Sequence, residues 1–132
     1  MRGTRVRVQD GESGRELWAR VAEAGEDFVI VVGGGDRPHV GCVVLAQPIH
    51  SKNRPEARSA SCSVLTIPPH KEEPIARGIA SRVTQALGRV TVVTAGVHED
   101  DLGQTGVAVF LRLGEELAEV LVQHLLEIER AG

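Results

Sequence analysis

The polar and apolar positions change rhythm several times along the chain, and each change marks an element. Residues 15–22 alternate, with Leu17, Ala19 and Val21 on one face, as in a strand with one side buried. Ala24-Gly25-Glu26-Asp27 follows as a short turn, and Phe28–Val32 is a continuous β-branched run. The pair predicts a hairpin whose second strand is buried on both faces. Gly33-Gly34-Gly35-Asp36-Arg37-Pro38-His39 interrupts the pattern, and the apolar run 40–46 predicts a third strand. Residues 47–60 are polar, with Pro48, His50, Lys52, Asn53, Arg54 and Pro55, and are expected to form a mobile loop, either a lid or slack. Residues 63–67 form a fourth strand, stopped by Pro68-Pro69.

The period then lengthens to nearly four. Ile75, Ile79, Val83 and Leu87, with Ala76, Ala80 and Ala86, make one helical stripe, with Arg77, Ser81, Arg82 and Gln85 away from it. Pro74 fits the first turn, where its missing N–H costs nothing, so the helix starts near Glu72 or Glu73 and Gly88 closes it. Residues 90–94 predict a fifth strand, which runs into Ala95-Gly96-Val97-His98-Glu99-Asp100-Asp101. A final helix is expected over 115–129, with 106–112 also helical and a break near Gly114. The expected fold is therefore α/β (α+β): one domain spanning 1–132, with a mixed sheet of about five strands in the order β-β-β-β-α-β-α and two helices packed on one face.

Composition narrows the functional classes. With 132 residues, 42% hydrophobic, the chain can bury a core without disulfides or a structural metal. A net charge of −3 and an aromatic content limited to Trp18, Phe28 and Phe110 argue against a nucleic-acid binder, which needs a basic face and stacking platforms. No stretch approaches the ~18 apolar residues of a membrane span. The N-terminus lacks the apolar run of a secretory signal, and Cys42 and Cys62 lie in strand-like runs as expected of buried thiols; a cytoplasmic location is expected. Of 15 basic residues only Lys52 and Lys71 are lysines, which makes Lys71 conspicuous.

Candidate chemistry gathers where strands end. Gly33, Gly34 and Gly35 could leave backbone N–H groups uncovered for a phosphate, or could simply form a flexible hairpin loop. The spacing is not a dinucleotide fingerprint. Pro68-Pro69-His70-Lys71-Glu72-Glu73 sits at a helix mouth, where free N–H groups and Lys71 suit an anion. The two glutamates equally suit a neutralised surface. His98, with three carboxylates after it, could bind a metal, act as acid or base, or stand beside a helix capped by Asp101, the default reading. His39, His70 and His98 share no short ligand spacing, so the zinc signal is weak. His124 is expected to be structural, and Cys42 to be a core residue rather than a nucleophile.

Three of these stretches, in order, resemble the LpdD-like prenylated-flavin chaperone family. They are Gly33-Gly34-Gly35 running into Pro38-His39-Val40-Gly41, then Pro69-His70-Lys71-Glu72-Glu73, then Ala95-Gly96-Val97-His98-Glu99-Asp100-Asp101. The resemblance covers about residues 15–125. It implies a small accessory protein, expected as a homodimer, associated with UbiD-type decarboxylases such as those of gallate and protocatechuate. It implies binding of prenylated FMN and its delivery or maturation, with His39, His70, Lys71, His98 and Asp100 carried over as site positions. Pro69 replaces an expected glycine, and Asp101 a common asparagine. Two rivals stand beside this expectation. One is a metal-dependent oxidation or hydrolysis using His39, His98 and Asp100, with a divalent ion that could also help oxidise a reduced flavin; the other is a docking subunit without ligand.

Overall fold

The computed structural model describes residues 3–54, 58–69 and 71–131. Its elements are β1 (Gly3–Gln9), β2 (Glu16–Ala24), β3 (Asp27–Gly35), β4 (Cys42–His50), β5 (Arg58–Thr66), α1 (Glu73–Leu87), β6 (Thr91–His98) and α2 (Gly103–Ala131). The strands form one mixed sheet in the order β1-β2-β3-β6-β4-β5. Only the β3–β6 pair is parallel; the other neighbours are antiparallel. Both helices lie on one face, α1 over β4, β5 and β6 and α2 over β1 and β2.

The α+β class and the two-helix layer match expectation, and the sheet gains a sixth strand. β1 escapes notice in the sequence because it has only Val6 and Val8 to turn inward, between Arg5, Arg7 and Gln9. An edge strand covered on one side needs little more. β3 is not buried on both faces: Phe28, Ile30 and Val32 are core, while Val29 and Val31 stay 37% and 40% exposed. The sheet has helices on one side only, so an unbroken β-branched run places half its side chains outside.

The polar stretch 47–60 is strand at both ends, over 47–50 and 58–60, and not one continuous loop. β4 runs on to His50 and β5 begins at Arg58, so these residues are the two arms of a hairpin. Residues 55–57 lie outside the described residues. Polarity misleads here because the residues of these arms are exposed or only partly buried and so need few apolar side chains.

α1 starts and ends where the sequence places it. Glu72 precedes the first turn, Pro74 occupies it, and Gly88 closes the helix in the left-handed conformation, its N–H bonded to the Thr84 carbonyl. Ile75, Ala76, Ile79, Ala80 and Val83 are buried. α2 shows no break at Gly114. That glycine is buried where the helices meet, and a Cβ there would stand 3.1 Å from Ile75 Cγ1. Its small size lets the two helices approach, so the residue that suggests an interruption is a packing contact. The peptide bond between Pro68 and Pro69 is cis.

At the β1–β2 turn, Asp10 accepts from the Ser13 hydroxyl and backbone N–H and pairs with Arg112 of α2. These bonds, led by the Ser13 hydroxyl, pull its carboxyl down from the ordinary 3.8 to about 2. The contact fastens the edge hairpin to the helix layer.

Gly114→Leu should destabilise the fold by roughly 1–3 kcal/mol through overpacking against Ile75. Gly78→Ala, at a helical site with open space around the missing Cβ, should stabilise it by roughly 0.5–1 kcal/mol. Denaturant midpoints check both. A lowered folded-state pKa means that the Asp10 contribution is present above pH 3.8 and fades as pH falls towards 2. Asp10→Asn should therefore lower the melting temperature at neutral pH and flatten the acid limb between those values, as read from melts across pH 2–6.

Candidate functional site

The site is built where the chain leaves β3 and crosses the end of β6. Gly33 and Gly34 are not in a turn; they are buried residues of β3, paired with Trp18 and Leu17 of β2 on one side and with Gly96 and Val97 of β6 on the other. Their backbone groups belong to the sheet, so they do not form the open cradle of N–H groups that three glycines suggest. A Cβ on Gly33 would strike the Trp18 indole at 2.3 Å, and one on Gly34 would strike Leu17 Cδ2 at 2.7 Å. Gly35 is the turning point, with φ of 71° and its missing Cβ aimed at the His98 carbonyl. Asp36 and Arg37 then donate their N–H groups to that same carbonyl, at 2.7 and 3.3 Å.

The segment 36–41 passes directly over β6. A Cβ on Gly96 would lie 1.6 Å from the His39 carbonyl oxygen, so only glycine permits the crossing. Beyond it, Gly41 N–H bonds the Ala95 carbonyl, and the Gly41 Cα faces the Glu72 carboxylate. Local folding therefore places two histidines. His39 donates from Nδ1 to the Arg37 carbonyl (3.0 Å) and sets Nε2 3.3 Å from Glu72 Oε1. Both partners are acceptors, so the two contacts are hydrogen bonds together only when both ring nitrogens carry protons. Glu72 is 5% exposed and also receives the Val97 N–H at 3.5 Å.

His98 is the last residue of β6. Its Nε2 lies 2.8 Å from Arg37 Nη2 and 2.9 Å from Asp100 Oδ1, and Arg37 also reaches Asp100 at 3.1 Å. The nitrogen sits between a donor and an acceptor, so its tautomer selects the partner. The His98 hydrogen bond first, and the Arg37 charge next, hold the Asp100 carboxyl below its usual value. Glu99 takes the other direction and forms a two-pronged, half-buried pair with Arg15, at 2.8 and 3.1 Å, which ties the loop after β6 to the start of β2.

These contacts frame a cleft of about 600 Å³ between the end of β6, Lys71 and the first turns of α2. Its walls include His98, Asp100, Leu102, Gln104 and Val107. A neighbouring slot of about 320 Å³ shares Lys71, Leu102, Val107 and Leu111 with it and reaches inward to Ile75, Val97 and Phe110. The combined cleft is thus polar at the mouth and apolar within. Both volumes fall in the roughly 300–1,000 Å³ range of small-molecule sites. α2 begins at Gly103, directly after Leu102, so Asp101, which is left-handed (φ 55°), does not cap it. Gly103 and Gln104 of its first turn line the mouth, and a helix start favours a negative group.

The structure therefore brings Lys71, His98 and Asp100 to one cleft, places His39 behind it on Glu72, and uses the glycines as close-packing points. His70 lies outside the described residues. Among the described residues no three His, Cys, Asp or Glu side chains are grouped to hold a metal ion. The divalent metal expected at His39 and His98 is unsupported: each ring is already engaged, and the Arg37 guanidinium stands against His98 Nε2 where a cation would have to bind. Cys42 is a buried core residue whose thiol is pushed up by desolvation, as expected of an inert thiol. Sequence reasoning missed Arg37 and Glu72 as site partners and Arg15 altogether. Their contacts join residues up to 84 positions apart, which no local spacing reveals.

Comparisons with known proteins bear on this geometry. Residues 11–126 match the family model described as a prenylated flavin chaperone LpdD-like domain. Protein LpdD of Lactiplantibacillus plantarum is 25% identical over 114 residues, covering 86% of this chain and 80% of its own. A chain from the crystal structure of a novel chaperone complex for yeast 20S proteasome assembly superposes with a TM-score of 0.54 at 13% identity, over 99% of this chain and 98% of its own, a likeness of fold alone. No helix among the described residues is long and apolar enough to cross a membrane. With the family model spanning nearly the whole chain, this protein belongs to the prenylated flavin chaperone LpdD-like family.

Proposed function

We propose that this chain binds prenylated FMN in the cleft at the end of β6 and passes it to a UbiD-type decarboxylase in the cytoplasm, without turning over a substrate itself. The observation that carries this is the continuity of an apolar inner slot with a mouth bearing Lys71, in a chain of a prenylated flavin chaperone family. Family membership supplies the flavin; the decarboxylase follows from the resemblance of the three motifs.

The donor set suits each part of such a molecule. The cofactor, when bound, supplies the fused ring system that the decarboxylase later uses for its chemistry. Val97, Leu102, Val107, Phe110 and Leu111 offer that ring an apolar wall. Lys71 and the first N–H groups of α2 suit a phosphate. The His98–Asp100–Arg37 cluster supplies both donors and acceptors for a polyol chain. Gly33, Gly34, Gly35 and His39 serve the site from behind, by letting the 36–41 segment cross and by holding Glu72.

Anaerobic titration with reduced prenylated FMN, and with FMN as control, tests this. Wild type should bind one equivalent and prefer the prenylated form. Lys71→Ala should weaken binding about tenfold, near 1.4 kcal/mol, and Val107→Asp, which puts a charge on the apolar wall, should abolish it with the fold intact by circular dichroism. Absence of binding to either flavin would overturn the proposal and leave a docking subunit as the better account.

A further inference from the structure

The side of β1 and β2 away from the helices concentrates positive charge in a chain of net charge −3. Val6 and Val8 pack against the core, so the alternate residues Arg5 and Arg7 of β1 point the other way, as do Trp18 and Arg20 of β2. With Glu16 they line a shallow cup of about 410 Å³. Glu16 pairs with Arg7 at 3.6 Å, and the Arg20 guanidinium lies over the Trp18 ring, 5.5 Å from its centre. Arg5 stands directly opposite Arg20 in the ladder, and among the described residues neither has a carboxylate within ion-pair reach. Like charges set opposite each other in a sheet cost stability. Charges on an edge strand serve to keep other strands away, but Arg20 sits one strand in from the edge, where that guarding needs none.

The backbone beside this cup is open. β1 is the first strand of the sheet and has a partner on one side only. Asp10 donates to the Arg15 carbonyl at 2.8 Å, one step past the Gln9–Glu16 pair, and the ladder alternates from there. Val8, Val6 and Thr4 therefore bond to β2, and the N–H and C=O groups of Gly3, Arg5, Arg7 and Gln9 point to the free edge. Over its seven residues this edge has no proline and no bulge. We propose that β1 accepts an extended segment of a partner protein as a seventh strand, a segment with an acidic residue at every second position. Neighbouring strands lie about 4.8 Å apart, so alternate side chains of the added strand share the face of Arg5 and Arg7. Carboxylates there relieve the opposition of Arg5 and Arg20, while the added backbone satisfies the edge. A second copy of the chain does not fit, because β1 laid on β1 sets the arginines of each copy among those of the other. The surface is separate from the flavin cleft at the end of β6, so the inference does not depend on that site.

Trp18 is the one tryptophan of the chain, so its fluorescence reports on the cup directly. Titration with a capped heptapeptide of alternating glutamate and valine should change its emission saturably, and the lysine–valine counterpart should not. Arg5→Glu and Arg20→Glu, both at exposed positions, should each weaken binding about tenfold with unchanged circular dichroism. Arg82→Glu, the same change of charge at an exposed position of α1, should bind the peptide as wild type does. N-methylating either the glutamates or the valines should abolish binding for one set, the one whose N–H groups meet β1, and spare the other. No saturable change at millimolar peptide would overturn the surface, and equal binding of both methylated peptides would overturn the strand addition. Binding of phosphatidylglycerol vesicles that Arg5→Glu removes, with no binding of the peptide, would also overturn it and give the cup to a membrane surface.

Discussion

Everything at the functional end depends on one close contact, the passage of the 36–41 segment across the end of β6. The His39 carbonyl crosses Gly96 and the Gly35 backbone meets the His98 carbonyl, at separations that leave no room for a Cβ on either glycine. This crossing takes the chain from β3 over its neighbour β6 to β4 without a long connection. It also fixes Arg37 on His98 and His39 on Glu72. An alanine at position 96 would have to push the segment away, and both pairs would lose their register together.

From that crossing the site divides by face. Inward, Glu72 is held beside Val97 and the apolar slot continues to Phe110 between the two helices. Outward, His98 and Asp100 stand in the open under the Arg37 guanidinium. The Arg15–Glu99 pair braces the loop between these faces and so sets where α2 begins. The proposed carrier role would use this arrangement: firm enough to form an apolar slot, open enough at one end for a cargo to leave.

Much of this was legible in the residues, and the exceptions have physical causes. The boundaries of α1 follow from Pro74 and Gly88, whose backbone requirements are local. The one-sided burial of Leu17, Ala19 and Val21 follows from period-two alternation. β1 and the arms of the β4–β5 hairpin were hidden because an edge strand and a protruding arm bury few side chains, so composition there resembles a loop. Gly114 and the Gly33–Gly35 run misled for a common reason: a glycine permits both a flexible turn and a tight approach, and only the neighbours, Ile75 and Trp18, decide which. Of the site, Lys71, His98 and Asp100 were readable because they follow a strand or precede a helix. Their partners Arg37, Glu72 and Arg15 depend on strand order, which the sequence pattern does not contain.

The central claim, that the cleft after β6 is the flavin's place, is tested most directly by hydrogen–deuterium exchange with and without reduced prenylated FMN under anaerobic conditions. The account predicts protection confined to the first turns of α1 and α2 and to residues 97–102. Tight binding with protection elsewhere, for example on the β4–β5 hairpin, and none at those segments would contradict it.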